Sequence, residues 1–252
     1  MTIDINCDMG ESFGNFIIGN DEAIMPYITS ANIACGFHAG DPWHMQKTIQ
    51  LAKDHKVKIG AHPSYPDLAG FGRRKMDIPK EELKAIIKYQ ISALKGMAES
   101  LGTKMEYVKP HGALYNNVAT DEKEALAVIE AIKEIDDSIY LMGLAGSHLK
   151  ELADHHKIRF IAEAFADRKY TSDGKLLSRK IKGASITSEK EAVNQLISIM
   201  LRNTVQTNEG EEIEIVADSI CIHGDNKNAV KILMAINDKL SSMGMTKKSF
   251  VK

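Results

Sequence analysis

The sequence predicts an α/β protein, a distorted (β/α) barrel of about seven parallel strands that forms one domain over residues 1–252. Short apolar runs alternate along the chain with helix-like segments, a pattern typical of βαβ units and parallel sheets. Most of these runs end in polar residues, which indicates chemistry at successive strand ends of a barrel. An open doubly wound sheet is the alternative, but its functional residues gather near one switch point and not on nearly every strand.

Each element is predicted from its own pattern. The helix at 79–101 begins with Pro79 and two acidic residues that suit the helix dipole, and its apolar residues recur every three or four positions. Asp41 and Asp225 are predicted to cap the helices that follow them. The long polar segment 163–187 is predicted to be an active-site loop. Strands are predicted at 2–6, 30–35, 57–61, 105–109, 139–142, 158–162 and 217–222, and helices at 41–55, 79–101, 120–136, 146–156, 188–205 and 225–243.

Composition narrows the classes of function. The 252 residues are 44% hydrophobic and 26% charged, and a net charge of −2 predicts no general attraction for nucleic acid or an anionic membrane. No apolar stretch approaches the ~20 residues of a transmembrane helix. The N-terminus lacks a signal-peptide pattern, so a cytoplasmic protein is expected. Cys7, Cys35 and Cys221 are interpreted as reduced core thiols, with a nucleophilic cysteine beside a histidine as the alternative.

The predicted strand ends carry two carboxylates and four histidines. Asp8 and Glu11 follow the first strand, where they suit acid–base catalysis or metal binding, or else only a turn. Asp8 with His38 and His62 has the residue types of a Zn²⁺, Mn²⁺ or Co²⁺ site, although the i, i+4 histidine spacing typical of metal sites is absent. A shared pocket is expected for the four histidines, which are His38, His62, His111 and His223.

Several further charged residues are candidates for binding or catalysis. Lys109 ends an apolar strand, so its ammonium needs either a structural partner such as Asp8 or a bound carboxylate or phosphate. Glu163 at a strand end suits acid–base work. Arg73 and Arg74 follow two glycines and suit either an anion clamp or a solvated loop, and the spacing is not that of a P-loop.

The charged residues in the loops after the sixth and last predicted strands can have structural roles or can bind substrate. Asp167 and Arg168 form either an internal pair or a substrate contact, because opposite charges are adjacent at the start of a long loop. In His223-Gly224-Asp225, the aspartate is interpreted as capping its helix while it orients the histidine.

Taken together, these motifs resemble the LamB/YcsF family. The resemblance runs in order from the first strand to the final helix, and several motifs are six or more residues long. It departs from the family pattern at Ser178, Lys182 and Lys227, near positions where prolines are expected. The motifs are Asn6-Cys7-Asp8-Met9-Gly10-Glu11, Ala34-Cys35-Gly36-Phe37-His38-Ala39-Gly40-Asp41, Gly60-Ala61-His62-Pro63-Ser64-Tyr65-Pro66-Asp67, Gly70-Phe71-Gly72-Arg73-Arg74, Val108-Lys109-Pro110-His111-Gly112-Ala113-Leu114-Tyr115, Phe165-Ala166-Asp167-Arg168 and His223-Gly224-Asp225.

The resemblance implies a barrel of the glycoside hydrolase/deacetylase type and the A subunit of a prokaryotic ATP-dependent 5-oxoprolinase that works with B and C subunits. The implied reaction cleaves 5-oxo-L-proline to L-glutamate while ATP, as co-substrate with Mg²⁺, is hydrolysed to ADP and phosphate. A divalent metal in the barrel is left open. Because the chain has no Walker motif and no Gly-rich dinucleotide loop, phosphorylation is expected mainly on the partners.

The resulting hypothesis is that this chain opens the lactam ring. Asp8 or Glu163 activates water, a histidine protonates the leaving nitrogen, and Lys109 and Arg73 hold a carboxylate or phosphate. The candidate catalytic residues are Asp8, Glu11, His38, His62, Lys109, His111 and Glu163. The candidate substrate- or phosphate-binding residues are Arg73, Arg74, Tyr115, Asp167, Arg168, His223 and Asp225.

Two other classes of function stay open at the level of sequence. A metal-dependent deacetylase or amidase would use Asp8, His38 and His62 and would lose activity to a chelator. A non-catalytic subunit would bind the substrate or hold the partners together, and would tolerate substitutions in the polar motifs. The sequence is also compatible with a homo-oligomer.

Overall fold

The computed structural model describes residues 2–250, in which strands and helices alternate. The strands are β1 (Thr2–Met9), β2 (Ser30–Ala34), β3 (Lys58–His62), β4 (Met105–Val108), β5 (Tyr140–Leu144), β6 (Phe160–Phe165), β7 (Thr204–Gln206), β8 (Glu212–Glu214), β9 (Ser219–Ile222) and β10 (Thr246–Lys247). The α-helices are α1 (Asp21–Ile24), α2 (Pro42–Asp54), α3 (Lys80–Ser100), α4 (Gly112–Val118), α5 (Glu122–Ile135), α6 (Leu149–His155), α7 (Glu189–Arg202) and α8 (Ala229–Ser242).

The predicted barrel is confirmed. Within the described residues, seven parallel strands pair in the order β1, β2, β3, β4, β5, β6 and β9, and β9 pairs with β1 to close the ring. β1 is staggered between its two neighbours, because Asp4–Cys7 pair with β9 while Asn6–Met9 pair with β2. Such a stagger is what lets a sheet close on itself. The carboxyl ends of all seven strands therefore meet at one end of the barrel.

Predicted and observed elements differ mainly at their ends. Asp41 caps α2 as predicted, accepting hydrogen bonds from the backbone of Trp43 and His44. The prediction that Asp225 caps the last helix is wrong, because α8 begins after Asn228 and the Asp225 carboxylate pairs with Arg73. β6 extends beyond the predicted 158–162, so Glu163 lies inside a strand and does not open the loop. The sequence pattern missed α1, α4, the antiparallel hairpin of β7 and β8, and β10, which are too short to show a clear period.

The interior of the barrel is polar, because alternate residues of the strands point inward and several of these are polar. On β1 the inward positions are Asp4, Asn6 and Asp8, two residues apart. Asn6 donates a hydrogen bond to Ser219 Oγ on β9 at 2.8 Å, and Ser219 donates to Asp4. Asn32 on β2 donates to Asn6 Oδ1 and to Asp8 Oδ1, each at 2.8 Å. A chain of hydrogen bonds thus runs through the barrel between Asp4 and Asp8.

One layer of this interior depends on a glycine, which leaves room for a neighbouring tyrosine ring. Asp8, Asn32, Gly60 and Tyr107 are register partners on four successive strands. A Cβ at Gly60 would lie 2.2 Å from Cε2 of Tyr107, so only glycine leaves room for the ring. The Tyr107 hydroxyl then reaches across and donates to Asn32 Oδ1 at 2.7 Å. The amide of Asn32 is thereby held with its nitrogen facing Asp8.

The segment that follows α8 covers the amino-terminal end of the barrel. β10 extends the sheet beside the start of β1, where Thr2 pairs with Thr246. Beyond it, the Phe250 ring packs against the rings of Tyr107 and Tyr140. Site residues at the carboxyl ends of the strands therefore face a cavity on the opposite side. No helix in the described part of the chain is long and apolar enough to cross a membrane.

Candidate active site

A cavity of about 460 Å³ lies at the carboxyl ends of the barrel strands. Its floor includes Asp8, His62, Lys109 and His111, which end or follow β1, β3 and β4. Its walls come largely from the predicted active-site loop, through residues 175–180. The volume is within the range of about 300–1,000 Å³ that small-molecule sites usually have. Other residues that line it are Arg73, Tyr115, Phe165, Arg168 and His223.

Lys109 is the centre of the cavity floor. Its side chain is 2% exposed, and Nζ lies 2.8 Å from Asp8 Oδ1 and 2.8 Å from Glu163 Oε1. Nζ also lies 3.3 Å from Asn6 Oδ1. Burial alone would lower the pKa of Lys109, but the nearby anionic groups, led by Asp8, raise it well above its usual range. The site thus holds a permanent ammonium at the bottom of a substrate-sized cavity.

Asp8 is the carboxylate that both touches this ammonium and faces the cavity. Its Oδ1 accepts from Lys109 and Asn32, while Oδ2 lies 3.3 Å from His62 Nε2. Burial would raise the pKa of Asp8, but His62 and Lys109 outweigh it and hold that pKa well below the usual range. Asp8 is therefore ionised at neutral pH, with Oδ2 directed towards the histidines and the cavity.

Glu163 lies beneath the floor and not in the lining. It is fully buried, and among residues 2–250 its oxygens have no hydrogen bond of good geometry, although Oε1 is close to Lys109. Its charge acts on the neighbouring Tyr115 hydroxyl, since burial and then Glu163 raise the pKa of Tyr115 well above its usual range. Glu163 is placed to balance the charge of Lys109, whereas Asp8 is placed to meet a ligand.

Three of the four predicted pocket histidines lie side by side. The rings of His38 and His111 stack with centroids 3.7 Å apart, and His62 meets both rings edge-on. Glu11 joins them, because its Oε1 lies 3.4 Å from His38 Nε2 and 3.8 Å from His111 Nδ1. Burial, followed by the charge of Asp8, raises the pKa of Glu11 well above its usual range. We call Glu11, His38, His62 and His111 the histidine cluster.

Gly72 fits the loop after β3 tightly against this cluster. Its φ is +63°, and a Cβ there would lie 2.8 Å from His111 Cδ2 and 2.8 Å from His38 Cβ. Both the left-handed backbone and the close approach require glycine. The Gly70-Phe71-Gly72 segment therefore holds the histidine rings in place, in addition to carrying Arg73 to the cavity wall.

His223, the fourth histidine, is held apart from the cluster by Asp167. Its Nδ1 lies 2.9 Å from Asp167 Oδ1, and its backbone N–H donates to Oδ2 at 3.0 Å. The charge of His223 and these hydrogen bonds lower the pKa of Asp167 despite its burial. The ring also stacks on Phe165. Asp167 thus orients His223, and it does not form the internal pair with Arg168 that was one of its two predicted roles.

An ion-pair bridge spans the cavity mouth. Asp225, in the loop after β9, pairs with Arg73 and lies 3.5 Å from Arg179 Nη1 in the long loop. Arg168 is buried beneath, where its guanidinium donates to the backbone carbonyl of Leu177, and burial followed by Arg179 lowers its pKa to about 10. Three guanidiniums therefore converge on one wall, which favours an anionic ligand. Arg74, also predicted to bind the substrate, does not line the cavity; its side chain is exposed and pairs with Asp67.

The predicted metal set Asp8, His38 and His62 is only partly brought together. Asp8 Oδ1 is already occupied by the Lys109 ammonium and the Asn32 amide. In the described part of the chain, the groups with converging ligand atoms are instead the histidine cluster and, separately, Asp8 with Cys221 and His223. The nucleophilic-cysteine alternative is also weakened, because burial raises the pKa of the Cys221 thiol well above its usual range.

Four residues with clear roles in this geometry were not among the predicted site residues. Asn6, Asn32 and Tyr107 orient Lys109 and Asp8 from inside the barrel. Their signal was present in the sequence as polar residues at alternate positions of otherwise apolar strands. Arg179 reaches the mouth from a loop without periodicity, so no local pattern marks it.

The sequence matches the LamB/YcsF family profile over residues 3–252. The chain belongs to the LamB/YcsF family. It is 48% identical over 249 residues to the A subunit of the 5-oxoprolinase of Photorhabdus laumondii, with 99% of each chain covered. Its structure is similar to that of a lactam utilization protein from Thermus thermophilus, with a TM-score of 0.93, 39% identity, and 99% and 100% of the two chains covered.

A more distant structure shares the fold. The catalytic domain of a peptidoglycan N-acetylglucosamine deacetylase from Eubacterium rectale superposes with a TM-score of 0.53 at 10% identity, covering 100% of this chain and 89% of that domain. This likeness confirms the expected deacetylase-like barrel, and at such low identity it concerns the fold alone.

Proposed function

We propose that this chain is the A subunit of an ATP-dependent 5-oxoprolinase and that its cavity carries the ring-opening step. The observation that supports this best is the buried Lys109 ammonium beside Asp8 at the floor of a substrate-sized cavity. The names of the relatives, the A subunit of a 5-oxoprolinase and a lactam utilization protein, agree with a lactam as the substrate class.

The cavity wall suits the charges of the proposed substrate. 5-Oxoproline carries one carboxylate, and an activated form would carry a phosphoryl group on the lactam oxygen as well. Arg73 and Arg179 are partly exposed at the mouth and share a single carboxylate, Asp225. A ligand anion would replace or join Asp225 between the two guanidiniums.

ATP is proposed to act on the partner subunits. A five-membered lactam is a resonance-stabilised amide, and phosphorylation of its oxygen by ATP makes the ring carbon more open to attack by water. The chain contains neither a P-loop nor a Gly-rich dinucleotide loop. The B and C subunits would therefore transfer the phosphoryl group, with Mg²⁺ bound by the nucleotide, and this barrel would receive the activated ring.

Asp8 is the group we assign to proton transfer. The water oxygen forms a bond to the ring carbon while its proton passes to Asp8 Oδ2, the oxygen that faces the cavity. Lys109 Nζ stabilises negative charge on the substrate oxygens. Asp8 passes this proton to the ring nitrogen, and the bond between carbon and nitrogen then breaks as the added hydroxyl becomes the new carbonyl and its proton moves to the same nitrogen, which leaves as a free amine. The product is an acyl phosphate of glutamate, and addition of a second water releases phosphate and leaves L-glutamate.

Glutamate formation from 5-oxoproline and ATP tests the proposal. The chain is assayed alone and then with its B and C partners, and activity is expected in the mixture. Asp8→Asn in the mixture should reduce the rate by about 100-fold or more, because it removes the proton acceptor. Asp137→Asn, at an exposed position before β5, is the matched control and should retain full activity. Full activity of Asp8→Asn would exclude the assigned role.

A further inference from the structure

The histidine cluster brings four possible metal ligands to one buried point. Glu11 follows β1, His38 follows β2, His62 ends β3 and His111 follows β4, so four successive loops or strand ends contribute one residue each. One ligand atom from each of the four residues lies within 4.8 Å of the other three. All four side chains are buried. The cluster therefore has the ligand number and the donor types of a divalent transition-metal site.

Two of the rings are oriented by backbone carbonyls. His62 Nδ1 lies 2.7 Å from the carbonyl oxygen of Lys109, and His111 Nε2 lies 3.0 Å from that of Phe71. Since a carbonyl oxygen only accepts, both of these nitrogens carry hydrogen, and this assigns the tautomers. Metal-binding histidines are oriented in this way, with the second ring nitrogen donating to a carbonyl or carboxylate.

The nitrogens that remain face each other. His62 Nε2 and His111 Nδ1 are 2.9 Å apart. In two neutral rings with the tautomers just assigned, both atoms present lone pairs, which repel at this distance. Either a second proton on His62, the charged form that lowers the pKa of Asp8, or a metal cation that both lone pairs bind removes the conflict. The ionised Asp8 makes a positive charge at this point favourable, and a bound cation would also favour the ionised form of the Glu11 carboxyl.

The ring nitrogens of His38 are a second, independent indication of a bound ligand. The side chain is 1% exposed, and within residues 2–250 neither ring nitrogen has a hydrogen-bond partner. A buried polar group without a partner is costly, so it indicates something absent from the protein chain itself. His38 Nε2 lies 3.4 Å from Glu11 Oε1, the same oxygen that lies 3.8 Å from His111 Nδ1. The ring of His38 therefore points to the same place as the other three ligands.

The spacing of the ligand atoms fits a tetrahedral ion. Zinc bound at about 2.0–2.1 Å to four ligands places those ligands about 3.4 Å from one another. Three of the six distances between the ligand atoms are 2.9, 3.4 and 3.8 Å, and the other three are no longer than 4.8 Å, so small shifts of the side chains would bring the four atoms around one ion. We propose that Glu11, His38, His62 and His111 form a binding site for a divalent transition-metal ion of the zinc class.

This ligand set differs from Asp8, His38 and His62, which the sequence offered as the ligands if a metal were present. Asp8 is left free for its own contacts, with Oδ2 beside His62 and next to the ion. A bound ion of this kind can polarise a carbonyl oxygen or lower the pKa of a water that joins it as a fifth ligand. The site does not rest on the proposed lactam reaction, because metal binding is measured without turnover.

The experiment is metal analysis of the full chain, purified without a histidine tag. After loading with Zn²⁺ and dialysis, elemental analysis is expected to find one ion per chain, and Co²⁺ in its place is expected to give the visible absorption of a tetrahedral site. Glu11→Gln and His38→Ala should each weaken Zn²⁺ binding by about tenfold or more. His55→Ala, at an exposed position after α2, is the matched histidine control and should bind as the wild type does.

Folding is checked separately, so that a lost site is not confused with a lost fold. Zn²⁺ should raise the thermal unfolding temperature of the wild type and of His55→Ala, because a ligand that binds only the folded state stabilises it. The proposal is overturned if wild-type chain retains no Zn²⁺ or Co²⁺ and shows no such rise. It is equally overturned if a folded Glu11→Gln, His38→Ala double variant binds as tightly as the wild type.

Discussion

Lys109 Nζ lies 2.8 Å from Asp8 Oδ1, and this pair is buried at the floor of the cavity between residues 101 positions apart in the sequence. Neither charge is isolated. Glu163 lies on the other side of the ammonium, and Asn32 donates to the same oxygen of Asp8. A buried ion pair costs desolvation energy, which these extra contacts offset. The pair therefore connects the stability of the barrel to the chemistry of the cavity.

Lys109→Met should destabilise the protein strongly. It retains most of the side-chain volume but leaves Asp8 and Glu163 buried without their common cation, and breaking a buried pair usually costs about 3–5 kcal/mol. Urea denaturation measures the loss in the free energy of unfolding. Adding Glu163→Gln to this variant should restore part of the stability, and Lys104→Met, at an exposed position, is the control. A loss below about 1 kcal/mol would contradict the ion-pair interpretation.

Asp4 should make stability depend on pH between about 4 and 6. Burial raises the pKa of Asp4 from 3.8 to about 6 in the folded protein, partly opposed by the hydroxyls of Ser219, Thr29 and Ser30. The pKa of Asp4 is thus higher in the folded protein than in the unfolded chain, so protonation of Asp4 stabilises the fold. This stabilisation is complete below the pKa of the unfolded chain and is lost as pH rises through the pKa of the folded protein. At 1.36 kcal/mol per pKa unit, this loss is about 3 kcal/mol.

Comparison with Asp4→Asn isolates this effect, because the variant has no carboxyl group at that position. Free energies of unfolding are measured for both proteins from pH 4 to pH 7. The difference between them should move in favour of the variant by about 3 kcal/mol as pH rises. A constant difference across this range would mean that the pKa of Asp4 is not raised in the folded protein.

Gly72→Ala should disturb the histidine cluster. The new Cβ would lie 2.8 Å from His111 and His38 atoms, on a backbone with φ of +63°. Gly14→Ala is the matched control, because Gly14 has a similar φ of +54° and an added Cβ there would have no heavy atom within 4 Å. Both substitutions carry the left-handed backbone cost of about 1–2 kcal/mol. Gly72→Ala should lose a further ~1–3 kcal/mol from overpacking, measured by urea denaturation. Equal losses for the two variants would show that the rings move aside freely.

Arg179→Met should weaken substrate binding more than it slows the chemical step. Arg179 lies at the cavity mouth beside Asp225, and the proposed ligand anion would bind there. Loss of one charged hydrogen bond of about 1.5 kcal/mol corresponds to roughly a tenfold rise in KM for 5-oxoproline, with kcat changed less. Steady-state kinetics of the complex with its B and C partners measure both values. Arg202→Met, exposed at the end of α7, should leave both unchanged. A fall in kcat without any change in KM would place Arg179 in the chemistry instead.

Local patterns in the sequence were sufficient for the architecture. The alternation of apolar runs and amphipathic segments predicted a closed parallel barrel, and six of the helices and all seven barrel strands lie close to their predicted positions. Periodicity works here because strands that are buried on both faces, and helices that cover them, repeat the same burial pattern several times. Short elements such as α4 and the β7–β8 hairpin carry too few residues for a period to register.

Closure of the barrel decided which polar residues meet. The sequence marked Asp8, Lys109, Glu11 and the histidines as candidates, since polar residues at strand ends are rarely needed for packing. It offered Asp8 as one of two possible partners of Lys109 without deciding between them. It did not indicate that Glu11 contacts His38 and His111, or that Arg179 and Asp225 meet across the mouth. Those partnerships depend on the stagger of β1 and on loop conformations, and both arise from contacts between residues far apart in the chain. The chemical types of the site are thus local properties of the sequence, whereas its distances and charge balance exist only when the ring of strands is complete.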